Sequence, residues 1–229
     1  MGATLVGSRL ELAFAKGGAN FISPRTLAAA RGRVANPERH QMLKADRLWA
    51  DLLSSMPLCF NLFGDLADPE CAERAVQLWW PDAPHGSVKT MFEHSPGRLD
   101  PLFLNNRSAF DVAFEIGTGD KNRGIIGVET KYHEHTKVEA KPKPAALARY
   151  IEVAERSHAF ADGWRDRVVN TELQQIWQDH LLVLSMLQHP MRKWSWGRFV
   201  LVYPSRNPSF ARAANEYRAV LKDSERRKS

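Results

Sequence analysis

The chain has 229 residues, of which 44% are hydrophobic and 25% charged, and its formal charge is +6. Those proportions exclude wholesale disorder and allow one sizeable domain. The positive balance favours a polyanionic partner, nucleic acid first, although charge alone is a weak signal. Cys59 and Cys71 are the two cysteines; without metal-type spacing they read as buried thiols in a reducing compartment. No apolar run approaches the ~20 residues needed to span a bilayer. Arg9 and Glu11 break up any signal-peptide core, so a cytoplasmic protein that uses no membrane is expected.

Residues 1–38 mix short apolar stretches with breakers at Gly17, Gly18, Pro24 and Pro37, and read as an N-terminal arm of short helices and turns. The main domain is expected over 39–229. Met42, Ala45, Leu48, Trp49, Leu52 and Met56 recur at helical spacing, so a helix is expected from about Glu38 to Met56. Pro57 should end it, with Leu58–Phe63 following as an apolar stretch into the core. Asp68-Pro69 opens a further helix, Asp as N-cap and Pro at the first helical position, running to about Trp80.

Three strand-like segments come next. Ser87–His94 is the first. In Ser108–Gly117, Phe110, Val112, Phe114 and Ile116 alternate with Asp111, Ala113 and Glu115. In Arg123–His133, Ile126, Val128, Thr130 and Tyr132 share one face, while Ile125, Gly127, Glu129, Lys131 and His133 share the other. Thr136–Pro144 reads as an exposed basic loop, and a helix from about Ala145 to Phe160 follows. A stronger helix starts near Asn170 or Thr171, with Leu173, Ile176, Trp177, His180, Leu181, Leu184 and Leu187 as its inward stripe, and closes at Pro190. Phe199–Tyr203 reads as a short strand and Ser209–Lys222 as a final helix. A hairpin inside an otherwise alternating order predicts a mixed sheet flanked by helices.

The chemistry lies in that hairpin. A turn centred on Asp120 puts residue 111 opposite residue 129, on the same side of the sheet, because the side-chain period is two. Directly opposed residues have Cβ atoms roughly 5 Å apart, and two carboxylates there repel unless a cation sits between them. Lys131 projects on the same face. Two acids and an ammonium suit phosphodiester hydrolysis: a metal activates water and neutralises phosphoryl charge, and the lysine orients the water, helps deprotonate it if its own pKa is lowered by burial, or stabilises developing charge. Glu-x-Lys on a strand is by itself common, and more often marks a solvated face. The matched Asp111, the apolar opposite face and the room left by Gly127 separate this hairpin from that pattern. His133 and His135, two apart, with His94 nearby in the pattern, form the alternative of a zinc-dependent hydrolase.

Ala109-Phe110-Asp111-Val112 followed by Gly127-Val128-Glu129-Thr130-Lys131 resembles the PD-(D/E)XK nuclease superfamily, the restriction-endonuclease-like group. The element order from about residue 39 to 204 resembles that group's αβββαβ core, and Leu58–Gly64 and Phe92–Arg98 look like segments of a poorly characterised bacterial branch. The proline of the family's name is absent, Phe110 standing before Asp111. The resemblance implies an α/β fold and a Mg²⁺-dependent endonuclease, with Mn²⁺ as a substitute ion and DNA favoured over RNA as partner. It implies metal held by Asp111, Glu129 and the Thr130 carbonyl, with Lys131 near the attacking water. Such sites often add an acid from an earlier element, for which Glu93 is the candidate. They also add a polar residue from the following helix, for which Gln174 is the candidate and Gln175 the weaker alternative. Lys137, Lys141, Lys143 and Arg149 are candidates to track a phosphate backbone into the site. A nucleic-acid-binding module without catalysis is the second reading, and a homodimer is compatible with either.

Overall fold

A computed structural model describes residues 5–117 and 121–226. Its elements are β1 (Leu5–Val6), β2 (Arg9–Leu10), α1 (Leu12–Ala15), α2 (Pro24–Ala35), α3 (Ala45–Ala50), α4 (Ser55–Phe63), a 3-10 turn (Gly64–Ala67) and α5 (Pro69–Trp79). Then come β3 (Val88–His94), β4 (Phe110–Ile116), β5 (Arg123–Thr130), α6 (Pro144–Ser157), α7 (Trp164–Val168), α8 (Gln174–Leu187), β6 (Trp194–Val202), α9 (Pro208–Arg218) and α10 (Asp223–Arg226). β3 to β6 form one sheet in the order β3-β4-β5-β6, in which β6 joins β5 in parallel and the other pairs are antiparallel. This is the expected mixed sheet flanked by helices.

The sheet divides the interior in two. Val112, Phe114, Ile116, Ile126 and Val128 pack with α4, α5 and the N-terminal helices, in a cluster that also holds Ala15 and Ala30. Ala113 and Ile125 face the other way, onto α6, α8 and α9 through Val153, Trp177, Leu181 and Ala213. The period of two in β4 and β5 therefore sorts the side chains between two helical layers, each hydrophobic on its inner side. Phe110 leaves its expected face: its ring lies where a side chain on Gly127 would be, 2.3 Å from an ideal Cβ, so only glycine fits there. The room at Gly127 is thus taken by Phe110.

Several boundaries differ from the sequence reading. The single helix expected over 38–56 is instead α3 and α4, separated near Asp51, and Pro57 lies within the first turn of α4 rather than after a helix. A proline there removes an N–H that has no helical partner anyway, and the Ser54 hydroxyl accepts from the Met56 N–H to start the turn. β5 stops at Thr130, so Tyr132 and His133 lie beyond the sheet. β6 begins five residues earlier than expected, at Trp194. The Asp68 carboxylate caps α5 as expected, accepting from the Cys71 N–H at 3.0 Å. Among the described residues, no helix is long and apolar enough to cross a membrane.

Candidate active site

The β4–β5 register follows from the residues themselves. Val112 pairs with Val128 and Ala113 with Gly127, which is the pairing that puts 111 opposite 129. Residues 118–120, including the expected turn centre Asp120, lie outside the described residues. Asp111, Glu129 and Lys131 line one cavity of about 350 Å³, together with Glu93 from β3 and Gln175 and Ile176 from α8. Glu129 and Lys131 are only 8% and 7% exposed, which removes the solvated-face alternative. Their ion pair, Nζ to Oε1 at 2.7 Å, lies in the interior, and the ammonium sits 5.9 Å from the centre of the Phe210 ring.

Asp111 is fixed by β5: its Oδ2 accepts from the Thr130 N–H at 2.7 Å and from the Thr130 hydroxyl. Burial, and then the charge of Glu129, raise its carboxyl well above the usual range despite those bonds. Glu93 is pushed up to about 7 by burial and then by Glu129. For Lys131, burial alone would lower the pKa, but Glu129 and Asp179 beside it win and raise it further. The ammonium is thus held charged, and the base role considered for a pKa-lowered lysine does not apply.

Glu93 reaches the cavity through an unusual backbone. Its φ is +48°, in the left-handed region that costs a non-glycine residue about 1–2 kcal/mol. Two arginines hold the peptide: Arg98 donates to the Glu93 carbonyl at 2.8 Å and Arg33 at 3.3 Å. Glu38 holds both arginines, as well as the His94 ring at 2.7 Å and the Ser95 N–H at 3.0 Å. That network lowers Glu38 to about 2 even though burial alone would raise it. His94 is therefore tied to Glu38, while His133 and His135 stand 6.3 Å apart as a pair of rings. The three histidines of the zinc alternative are not brought together.

The helix candidate needs correcting. Gln174 is 2% exposed and points into the wall, where its Oε1 accepts from the Asn170 N–H and its Nε2 donates to the Ala140 carbonyl. Gln175 is the residue that reaches the site, its Nε2 donating to Glu129 Oε1 at 3.3 Å. Arg149 is a second correction. It donates to the Phe103 and Leu102 carbonyls at 2.7 and 3.0 Å and pairs with Glu152, so its guanidinium is consumed in packing. Lys141 and Lys143 are exposed on the loop before α6, and Lys137 lines the cavity mouth while reaching Glu139 at 3.4 Å.

Sequence reasoning missed three residues. Asp179, one turn beyond Gln175, is buried beside Lys131, its carboxyl raised by burial and by Glu129 against the pull of Lys131. The signal was present: Leu181–Leu187 is nearly all apolar, which marks a helix buried on every side and so places an Asp in its interior. Glu134 accepts from the Ser55 N–H and hydroxyl, the Tyr132 N–H and Arg47, which pins the segment after β5 against α4. Arg47 thereby lines the cavity from the other side.

The donor set suits a hard divalent cation. Carboxylates raised by burial and then by a neighbour's charge, as Asp111 and Glu93 are, gain most from a cation between them. Among the described residues, no three His, Cys, Asp or Glu side chains form a preformed metal cage. Magnesium does not require one, since it keeps several waters and takes one or two carboxylates. No curated protein and no solved structure gives a significant match to the chain. A family model described as the PD-(D/E)XK nuclease superfamily matches residues 2–229. With an acid pair and a lysine on the central hairpin of a restriction-endonuclease-like fold, the chain belongs to the PD-(D/E)XK nuclease superfamily.

Proposed function

We propose that the protein is a Mg²⁺-dependent nuclease that hydrolyses DNA phosphodiester bonds. One observation carries this reading: three carboxylates, Asp111, Glu129 and Glu93, border a single cavity with a buried, charged lysine. Asp111, Glu129, Glu93 and the Thr130 carbonyl would hold the ion, and Mn²⁺ would substitute for it. When bound, such an ion neutralises phosphoryl charge and acidifies water. Lys131, held protonated, donates to a phosphate oxygen and stabilises the negative charge that grows there. Gln175 keeps Glu129 Oε1 turned into the cavity, where the charge of Glu129 holds Lys131 protonated. Phe210 covers the ammonium and limits its hydration, which strengthens its pull on an anion. Lys137, Lys141 and Lys143 guide the polyanion to the cavity mouth.

The test is a panel of labelled single- and double-stranded DNA and RNA, incubated with Mg²⁺, Mn²⁺ or chelator. Cleavage is expected with either ion and none with chelator. Glu129→Gln and Lys131→Ala should each lose roughly 10²-fold or more while remaining folded. Wild-type cleavage rates in either variant would overturn the assignment.

A further inference from the structure

The basic side chains that line the candidate cavity are Arg47, Lys131, His135 and Lys137. Lys131 is buried against Glu129. Lys137 is exposed on its loop, and its one partner among the described residues is Glu139 at 3.4 Å. Arg47 combines openness with a fixed position. It lies in the last turn of α3, where Leu48, Trp49 and Ala50 are buried and anchor the helix in the core. Its side chain is 40% exposed, yet its Nε donates to the Ser54 hydroxyl at 2.7 Å and its Nη2 to Glu134 Oε1 at 3.2 Å. Among the described residues, Nη1 donates to nothing.

Glu134 does not depend on that arginine. Its carboxylate already accepts from the Ser55 N–H at 3.3 Å, the Ser55 hydroxyl at 2.7 Å and the Tyr132 N–H at 2.7 Å. The dependence runs the other way: Ser54 and Glu134 hold the guanidinium still. The same contacts tie it to the catalytic hairpin. The Ser55 carbonyl accepts from the Thr130 hydroxyl at 3.4 Å, and the Thr130 N–H binds Asp111. Arg47 therefore keeps a set position relative to Asp111 and Thr130, on a different wall from Lys131. The carboxylates that would hold a cation also repel an incoming anion, so a phosphodiester needs a fixed positive charge of this kind to enter.

We propose that Arg47 is a phosphate-binding residue of this site, its uncommitted Nη1 donating to a non-bridging oxygen of the phosphodiester that enters the cavity. The proposal rests on the nuclease reading above and adds a residue to it. A guanidinium suits the task because its planar donors match phosphate oxygens, where an ammonium offers only a point charge. Its two anchors mean that little side-chain freedom is lost when the anion arrives. The contact is to the backbone of the strand, so it positions the substrate and reads no base sequence.

Binding of fluorescent single- and double-stranded DNA, in Ca²⁺ or chelator in place of Mg²⁺ and over a range of salt, tests this apart from cleavage. Arg47→Ala should weaken binding at least about tenfold on whichever form the wild type binds, and alike for unrelated sequences. The slope of log affinity against log salt should fall by about 0.7–0.9, the share of one phosphate. Arg156→Ala removes an equal charge from α6, away from the cavity, and should leave affinity and slope unchanged. Calorimetry should show Arg47→Ala binding Mn²⁺ at least as tightly as wild type, because losing a positive charge does not weaken an intact cation site. Wild-type affinity and slope in Arg47→Ala overturn the inference. A loss of Mn²⁺ affinity in step with DNA affinity overturns it as well, since Arg47 would then only support the cavity wall. A wild type that binds no nucleic acid overturns the nuclease reading itself, and this inference with it.

Discussion

Replacing Glu93 by Gln isolates one of the charges that burial in the cavity disfavours. The folded chain holds the Glu93 proton up to about pH 7, against an ordinary value of 4.5. Below pH 4.5 both folded and unfolded states carry that proton, and stability is unaffected. As pH rises from 4.5 through 7, the unfolded chain releases it first, so stability is lost across that window. A displacement from 4.5 to 7 is worth about 3.4 kcal/mol at 1.36 kcal/mol per pH unit. The open mouth of the cavity screens the charge and reduces this to about 2–3 kcal/mol. Gln has the same shape and no charge to lose, and it keeps the backbone where the two arginines hold it. In chelator at pH 8, Glu93→Gln should therefore melt about 4–12 °C above wild type for a chain of this size. The gap should close at pH 4.5. Added Mg²⁺ should raise the wild-type melting temperature at pH 8 by mass action and the variant's much less. Equal melting at pH 8, or a gap independent of pH, would refute the reasoning.

Three other outcomes follow from particular contacts. His180, lowered to about 4 by burial, resists a proton that the unfolded chain accepts near 6.5, so wild-type stability should fall as pH drops from 6.5 to 4; urea midpoints of His180→Gln should fall less across that window. Gln175→Ala should slow cleavage at little cost in stability. Gln174→Ala should do the reverse, lowering unfolding free energy by about 1–3 kcal/mol through the backbone groups it leaves unpaired, as denaturant titration would read. Neutralising Lys137, Lys141 and Lys143 together should reduce the salt dependence of nucleic-acid binding, whereas Arg149→Ala should lower stability and leave that slope unchanged.

The central hairpin was legible because its alternation, the matched acids and the turn position all point to one register, and the structure pairs Val112 with Val128 accordingly. The first half of β6 was not legible. Ser195, Gly197 and Arg198 interrupt its apolar run, as an edge strand with one open side permits. The choice between Gln174 and Gln175 turned on about 100° of helix rotation, and periodicity cannot resolve that when the helix is buried nearly all round. Arg149 looked like a free cation because a sequence does not reveal which carbonyls a turn leaves open; those of Leu102 and Phe103 take it. Glu93 was legible as an acid at a strand end, but the left-handed backbone that turns it inward depends on Arg33 and Glu38, far earlier in the chain.

That dependence reaches into the order of folding. The Arg33–Glu93 and Glu38–Arg98 contacts each close a span of 60 residues, and long closures form after local turns and hairpins. The β3–β4 and β4–β5 pairings need no such span, so these three strands can assemble while Glu93 is still in ordinary extended backbone. Cation binding should therefore be among the last properties a refolding chain regains, trailing the recovery of its secondary structure. A chain cut between α2 and α3 and purified as two associated pieces should regain that binding at a rate set by how fast the first piece docks.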